Sequence, residues 1–252
     1  MDPGHGLPPP RLLLQHRKEG RARRTPALPR GRRGRRVIRI GGWSRLSTCD
    51  WPGRLVTTVF CQGCPWRCGY CHNPELLPVR AAAPVPWRTV TDHLTRRRGL
   101  LDGVVFSGGE PLLQPDLATA LREVRALGFA TGLHTGGAFP RRFAQLLAAG
   151  LVDWVGFDVK ATPDAYEKVT GVRNSARPAQ RSLRLLLDSG TAHQLRTTVD
   201  PALLDEAEFT ALERWLTAQG ARGHVRQEAR PAGRSVGPRP SPTAERARRP
   251  GG

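Results

Sequence analysis

Three of the five cysteines, Cys64, Cys68 and Cys71, sit in the stretch FCQGCPWRCGYCHNPE from Phe60 to Glu75 in a C-x3-C-x2-C arrangement. Three thiolates leaving one tight loop can converge on one metal centre. The number of ligands is what matters chemically. A structural zinc site takes four protein ligands and is closed, whereas a centre held by three keeps one coordination position for a small molecule. Spacing alone leaves two readings open: an open metal or cluster site, or a zinc knob completed by His72 or Cys61. Cys49 and Cys61 fall outside the motif and read as packing residues, since small buried thiols are common. Four cysteines within eleven residues, Cys61 to Cys71, are no disulfide framework and in a reducing compartment indicate metal binding.

The elements that must carry this loop are legible as apolar runs. Arg54 to Phe60 (RLVTTVF) is β-branched and apolar, predicts a buried strand, and delivers the chain into the cysteines. A helix is predicted over Trp87 to Arg98, then a strand over Gly103 to Ser107 ending in GGEP. Asp116 to Leu127 carries Leu117, Leu121, Val124 and Leu127 on one helical face closed by Gly128. Further strands are predicted at Ala130 to His134, Val152 to Asp158, His193 to Val199 and His224 to Gln227, and helices at Pro140 to Ala149, Ala176 to Asp188 and Asp205 to Gln219. Six strands alternating with helices predict an α/β fold with a parallel sheet and right-handed crossovers. The chain is short for an eight-unit barrel of about 250 structured residues. In such folds chemistry gathers at the C-terminal ends of the strands.

Charge is unevenly distributed along the 252 residues, whose formal net charge is +19. Residues 1–36 carry eleven Lys or Arg against Asp2 and Glu19, and residues 230–252 carry six Arg against Glu245. Only +5 remains for residues 37–229, which form the expected folded domain. Basic, Pro/Gly-rich, apolar-poor ends bury too little surface to offset their ordering entropy, so both are expected to be disordered. Lysine is nearly absent (Lys18, Lys160, Lys168) while Arg, Ala, Gly and Pro abound, a coding bias that argues against a nucleic-acid role for the arms. Val37 is read as an alternative start directly before the domain. The apolar triplet Leu12 to Leu14 is too short for a signal-peptide core, and no run approaches the roughly 18 residues of a membrane span, so a cytoplasmic protein is expected.

Further short motifs follow in a fixed order: STCDWPG (Ser47 to Gly53), CHNPE (Cys71 to Glu75), GGEP (Gly108 to Pro111), HTGG (His134 to Gly137), DVK (Asp158 to Lys160) and RTTVDP (Arg196 to Pro201). With the cysteine loop they resemble the radical S-adenosylmethionine (SAM) superfamily, and within it the anaerobic ribonucleoside-triphosphate reductase activating proteins, which are glycyl-radical activases. The resemblance covers roughly residues 40–229. It implies a partial (β/α)6 TIM-like barrel, with Cys64, Cys68 and Cys71 holding a four-iron, four-sulfur cluster whose fourth iron binds SAM. It places Tyr70 beside the adenine, the Gly108, Gly109 and Glu110 segment at the SAM amino group, and Thr135, Asp158, Val159 and Lys160 at the ribose and methionine part. Arg196 would point into the barrel mouth, where its guanidinium could meet a carboxylate or phosphate.

Two departures stand out. The family's Thr-Asn-Gly is here Thr135-Gly136-Gly137, and its late Gln-rich segment appears as Arg226-Gln227-Glu228. No cysteine falls between Cys71 and Gly103, which leaves no second cluster there. The implied partners are a glycyl-radical enzyme, anaerobic ribonucleotide reductase, and a flavodoxin- or ferredoxin-type electron donor. No side-chain acid or base is required, since the cofactor carries the hard chemistry. Three alternatives stay open: a radical SAM enzyme acting on another glycyl-radical enzyme or on a small molecule, a zinc-stabilised binding module with basic arms, and a regulatory or decayed homologue, against which the retained cysteines, GGEP and Lys160 weigh.

Overall fold

The computed structural model describes residues 38–229. The extensions expected at 1–36 and 230–252 lie outside the described residues. Seven strands form one sheet in sequence order: β1 (Ile40–Ser47), β2 (Val56–Cys61), β3 (Gly103–Gly108), β4 (Ala130–Thr135), β5 (Trp154–Asp158), β6 (Ala192–Val199) and β7 (Val225–Glu228). β1 pairs antiparallel with β2, and every later neighbouring pair is parallel. The six strands β2 to β7 are the predicted parallel set. They are joined through α1 (Trp87–Arg96), α2 (Leu117–Ala126), α3 (Pro140–Ala148), α4 (Tyr166–Thr170), α5 (Ala176–Ser189) and α6 (Glu206–Ala218). β1 and β7 stand at the two edges of an open sheet.

Two elements escape the sequence reading. In β1, the Gly41-Gly42 pair and a half-exposed Ser-Arg-Leu stretch break the apolar run that marks a buried strand. α4 has only five residues, too few to display a helical period. Elsewhere local signals act as expected. Gly171 and Gly190 end α4 and α5 in the left-handed conformation, and Asp205 with Glu208 forms a capping box at the start of α6.

Successive strand residues face opposite sides, and that alternation divides the core. Val104, Phe106, Leu133, Val155, Phe157 and Leu195 are buried against the helices. Between them in sequence, Val105 and Trp154 face the other side, where they meet Val56 and Trp51 in a small separate cluster. Trp51 comes from the β1–β2 connection and stacks on Trp154 at 5.4 Å with 16° between the rings. The STCDWPG stretch therefore folds back under the inner face of the sheet. Among the described residues no helix is long and apolar enough to cross a membrane.

Candidate active site

β2 ends at Cys61, and the next ten residues make the cysteine loop. Cys64, Cys68 and Cys71 are free and partly exposed, Cys61 is buried and Cys49 exposed. The loop is held from two sides by backbone. Gly63 N–H donates to Leu76 O (2.7 Å) and Cys64 N–H to Leu77 O (3.1 Å), while Arg67 N–H donates to Thr170 O (2.8 Å) and Gly69 N–H to Val169 O (3.3 Å) at the end of α4. The Gln62 amide adds bonds to Glu75 O (3.1 Å) and Pro78 O (2.9 Å). Trp66 is buried edge-on against Tyr166, 5.8 Å between ring centres. Burial pushes the Cys64 thiol up to about 12, with the Glu110 charge adding to it, and burial raises Cys68 as well. Such thiols keep their protons until a cation displaces them.

GGEP closes directly on this loop. Gly109 N–H donates to Cys61 O and Glu110 N–H to Gly63 O, each at 2.9 Å. A Cβ on Gly109 would lie 2.3 Å from Gly63 O, so the close approach this glycine permits is to the cysteine loop's own backbone. Glu110 is buried: its Oε1 accepts from Leu112 N–H (3.0 Å) and the Thr135 hydroxyl (2.8 Å), and its Oε2 accepts from Gly136 N–H (3.1 Å). Burial raises its pKa to about 7 against the pull of these donors. The Thr135 hydroxyl also accepts from Gly137 N–H at 2.9 Å. Glu110 and Thr135 thus bind one another and clasp two strand ends.

The replaced residue of the family's Thr-Asn-Gly has a cause in the structure. A Cβ on Gly136 would lie 2.2 Å from Trp66 Cζ3, so the indole occupies the space an asparagine would need.

Asp158 and Arg196 are register partners across β5 and β6. Asp158 Oδ1 accepts from Arg196 Nε (2.9 Å) and Nη2 (2.8 Å), and its Oδ2 lies 3.4 Å from Lys160 Nζ. The Lys160 and Arg196 side chains are only 12% and 11% exposed, so neither is the solvated surface charge their residue types would suggest. Burial would raise the Asp158 pKa, but the Arg196 and Lys160 charges overcome it and hold the carboxyl well below its ordinary range. Burial alone would likewise lower Lys160, and Asp158 reverses that. Lys160 Nζ stands 5.7 Å from the Tyr70 ring centre. The Tyr70 and Tyr166 hydroxyls beside it are buried without a well-formed hydrogen bond. Val159 is buried on the helix side, and its N–H donates to Arg196 O (2.9 Å).

His134, the first residue of HTGG, is buried at the end of β4. Its Nε2 lies 2.7 Å from Asp50 O and 3.2 Å from Arg196 Nη1, and its Nδ1 lies 3.2 Å from the Ser107 hydroxyl. Burial and the nearby Arg196 charge lower its pKa to about 4, so the ring is neutral. Asp50 in turn accepts the Thr58 hydroxyl on Oδ2 (2.6 Å). The STCDWPG connection therefore supports His134, which in turn lies against Arg196. Trp66 carried no sequence signal beyond lying between two cysteines.

Eleven of the twelve candidates lie at or just beyond the C-terminal ends of neighbouring strands, and Arg196 lies within β6 in register with the end of β5. Cys64, Cys68, Cys71 and Tyr70 come from the loop after β2, and Gly108, Gly109 and Glu110 from the end of β3 and the turn that follows. Thr135 ends β4, Asp158 ends β5 with Val159 and Lys160 just beyond, and Arg196 lies on β6. The donor set suits a cluster. Three free, partly exposed thiols in one loop are the soft ligands that an iron–sulfur centre takes.

The radical SAM superfamily profile matches residues 58–210. A Methanocaldococcus jannaschii protein provisionally named a glycyl-radical enzyme activating enzyme is 29% identical over 176 residues, covering 68% of this chain and 72% of its own. The pyruvate formate-lyase-activating enzyme of Clostridium pasteurianum is 31% identical with the same coverage. Among solved structures, Streptococcus suis SuiB bound to its precursor peptide SuiA gives a TM-score of 0.55 at 14% identity, covering 69% of this chain and 39% of its own. SuiB bound to S-adenosylmethionine gives 0.54 at 13% identity, with 74% and 43% covered. This chain thus spans less than half the length of that solved neighbour. The chain belongs to the radical SAM superfamily, and its fold is the partial barrel of that superfamily. It is a radical SAM enzyme, and its cofactors are a four-iron, four-sulfur cluster and SAM.

Proposed function

We propose that this chain is a glycyl-radical activase whose protein substrate is an anaerobic ribonucleoside-triphosphate reductase. The observation that carries the reading is the cysteine loop set directly beside the Asp158–Lys160–Arg196 group, at the strand ends of an open sheet. Cys64, Cys68 and Cys71 would hold three irons as thiolates, leaving the fourth iron for SAM. When bound, the cluster and SAM supply a one-electron cleavage that yields methionine and a 5′-deoxyadenosyl radical able to take hydrogen from a glycine.

The residues of the chain bind, orient and keep water out. Lys160 is a fixed cation that suits the SAM carboxylate, and Asp158, already low in pKa, stays ionised to hold Lys160 and Arg196 in place. The buried Tyr70 hydroxyl is a donor ready for a ligand atom. Glu110 and Thr135, bonded to each other, fix the GGEP and HTGG backbones so that their remaining polar groups meet SAM. Trp66 and the Trp51–Trp154 stack fill space under and beside the site, which excludes water from a reactive radical.

The motif resemblance supports the reductase as substrate, while the names of the curated relatives favour pyruvate formate-lyase as a second reading. Anaerobic reconstitution with iron and sulfide, dithionite reduction and SAM should yield 5′-deoxyadenosine, and Cys68→Ala should not. The same mixture is then given each of the two glycyl-radical enzymes, and electron paramagnetic resonance identifies which acquires the glycyl doublet. A signal only on pyruvate formate-lyase would replace the reductase assignment.

A further inference from the structure

Tyr166 opens α4 and is only 2% exposed. Its ring packs edge-on against Trp66, 5.8 Å between centres, within a buried apolar group that includes Val169, Val199 and Leu204. A tyrosine in such a place normally finds a partner for its hydroxyl. The Tyr166 hydroxyl has none among the described residues, and the Lys160 backbone approaches it without completing a bond. Phenylalanine would fill the same space and leave no buried donor over, so packing does not account for the oxygen.

The surroundings of Tyr166 are those of the middle cysteine. Arg67 N–H donates to Thr170 O and Gly69 N–H to Val169 O, so backbone bonds on both sides of Cys68 fasten that residue to α4. The Thr170 hydroxyl donates to Tyr166 O (2.9 Å), which ties the two ends of this short helix together. Cys64 and Cys68, themselves partly exposed, lie against the same apolar group as Tyr166. Burial pushes the pKa of the phenol up, with Lys160 opposing and Tyr70 and Cys68 adding to the rise, so Tyr166 keeps its proton and stays a donor. Tyr70 is partly exposed and open to a ligand, whereas Tyr166 lies wholly inside the protein, where the acceptor has to come from the loop itself.

We propose that the Tyr166 hydroxyl donates a hydrogen bond to the Cys68 thiolate sulfur and so tunes the reduction potential of the centre that Cys64, Cys68 and Cys71 hold. This rests on the three-cysteine cluster of the proposed function. A thiol sulfur accepts weakly, but once Cys68 gives up its proton to bind iron its sulfur carries charge and accepts well. A donor at that sulfur favours the more negatively charged reduced state, which raises the potential. Tyr166 is thus a positioning and tuning residue, and no ligand of the centre.

The test compares Tyr166→Phe, which removes the oxygen alone, with Phe209→Leu, which disturbs the same apolar group and removes no donor. Each full chain is reconstituted with iron and sulfide and titrated anaerobically, without SAM, while the cluster spectrum is followed. Tyr166→Phe should lower the midpoint potential, raising the oxidised-to-reduced ratio at a fixed potential about tenfold (about 59 mV for one electron). Phe209→Leu should keep the wild-type potential, and both variants should take up iron as wild type does. In the cluster-free protein Tyr166→Phe should not lower the urea midpoint, because the phenol has no partner there to lose. Calorimetric titration should give Tyr166→Phe the wild-type affinity for SAM. An unshifted potential in Tyr166→Phe overturns the proposal, as does an equal shift in Phe209→Leu. Weakened SAM binding at an unshifted potential would assign the hydroxyl to the ligand instead. Loss of iron from Tyr166→Phe alone would also overturn it, since a donor to sulfur adjusts the centre without holding it. Failure of the wild-type chain to take up iron would instead sink the three-cysteine cluster itself.

Discussion

The Glu110 carboxylate accepts the Thr135 hydroxyl at 2.8 Å and so ties the turn after β3 to the end of β4. The bond joins residues 25 apart in sequence and is buried on both sides. Because Glu110 also takes Leu112 N–H and Gly136 N–H, one carboxylate orders both the GGEP and the HTGG segments.

Its raised pKa makes the clasp pH-dependent. The ordinary value is 4.5 and the folded value about 7, so between these the folded state holds the proton more often than the unfolded state. Stability therefore falls as pH rises through that window, and the loss is complete above about 7. The full effect is on the order of 3 kcal/mol. Urea denaturation of the cluster-free protein at several pH values should show wild type losing stability relative to Glu110→Gln between pH ~5 and ~8. A difference that grows in the opposite direction would refute the burial argument.

Trp66 and Gly136 are a matched pair. Gly136→Ala forces a Cβ into the indole and should cost roughly 1–3 kcal/mol, as overpacking does. Gly136→Asn, which restores the family residue, should be worse. Adding Trp66→Leu should recover part of the loss in a double-mutant cycle of denaturation midpoints; simple additivity would mean the two side chains do not compete.

The cysteines should separate cleanly by position. Cys64→Ala, Cys68→Ala and Cys71→Ala should each lose the visible iron–sulfur absorption and most of the bound iron after reconstitution. Cys49→Ala should keep both. Cys61→Ala should keep the cluster while losing roughly 1 kcal/mol of stability, because Cys61 is wholly buried among core residues. Iron analysis together with the spectrum decides each case, and loss of the cluster in Cys49→Ala would redraw the ligand set.

Arg196 makes two bonds to one oxygen of Asp158, a geometry lysine cannot copy. Arg196→Lys should therefore behave like Arg196→Met, weakening SAM binding about tenfold (about 1.4 kcal/mol) in calorimetric titration of the reconstituted protein. Asp158→Asn should weaken it similarly by releasing both cations. Wild-type affinity in Arg196→Lys would show that charge alone suffices.

The sequence by itself determined the parts that depend on neighbours along the chain. The cysteine loop places three thiols in one short stretch by spacing alone. The β-branched runs at Val56, Val104 and Val155 and the glycine stops at Gly128 and Gly190 settle strands and helix ends through local sterics. Strand alternation with helices then placed the motifs at one end of a parallel sheet. Tertiary structure decided what those motifs touch. His134 meets Asp50 across 84 residues, Trp51 meets Trp154 across the barrel interior, and Trp66 fills the space that leaves only glycine at position 136. Such pairs arise from which strands become neighbours and how their side chains pack, a cooperative outcome that no short window of sequence contains. For the same reason the hydrogen bond between Glu110 and Thr135, 25 residues apart, was not legible in either motif.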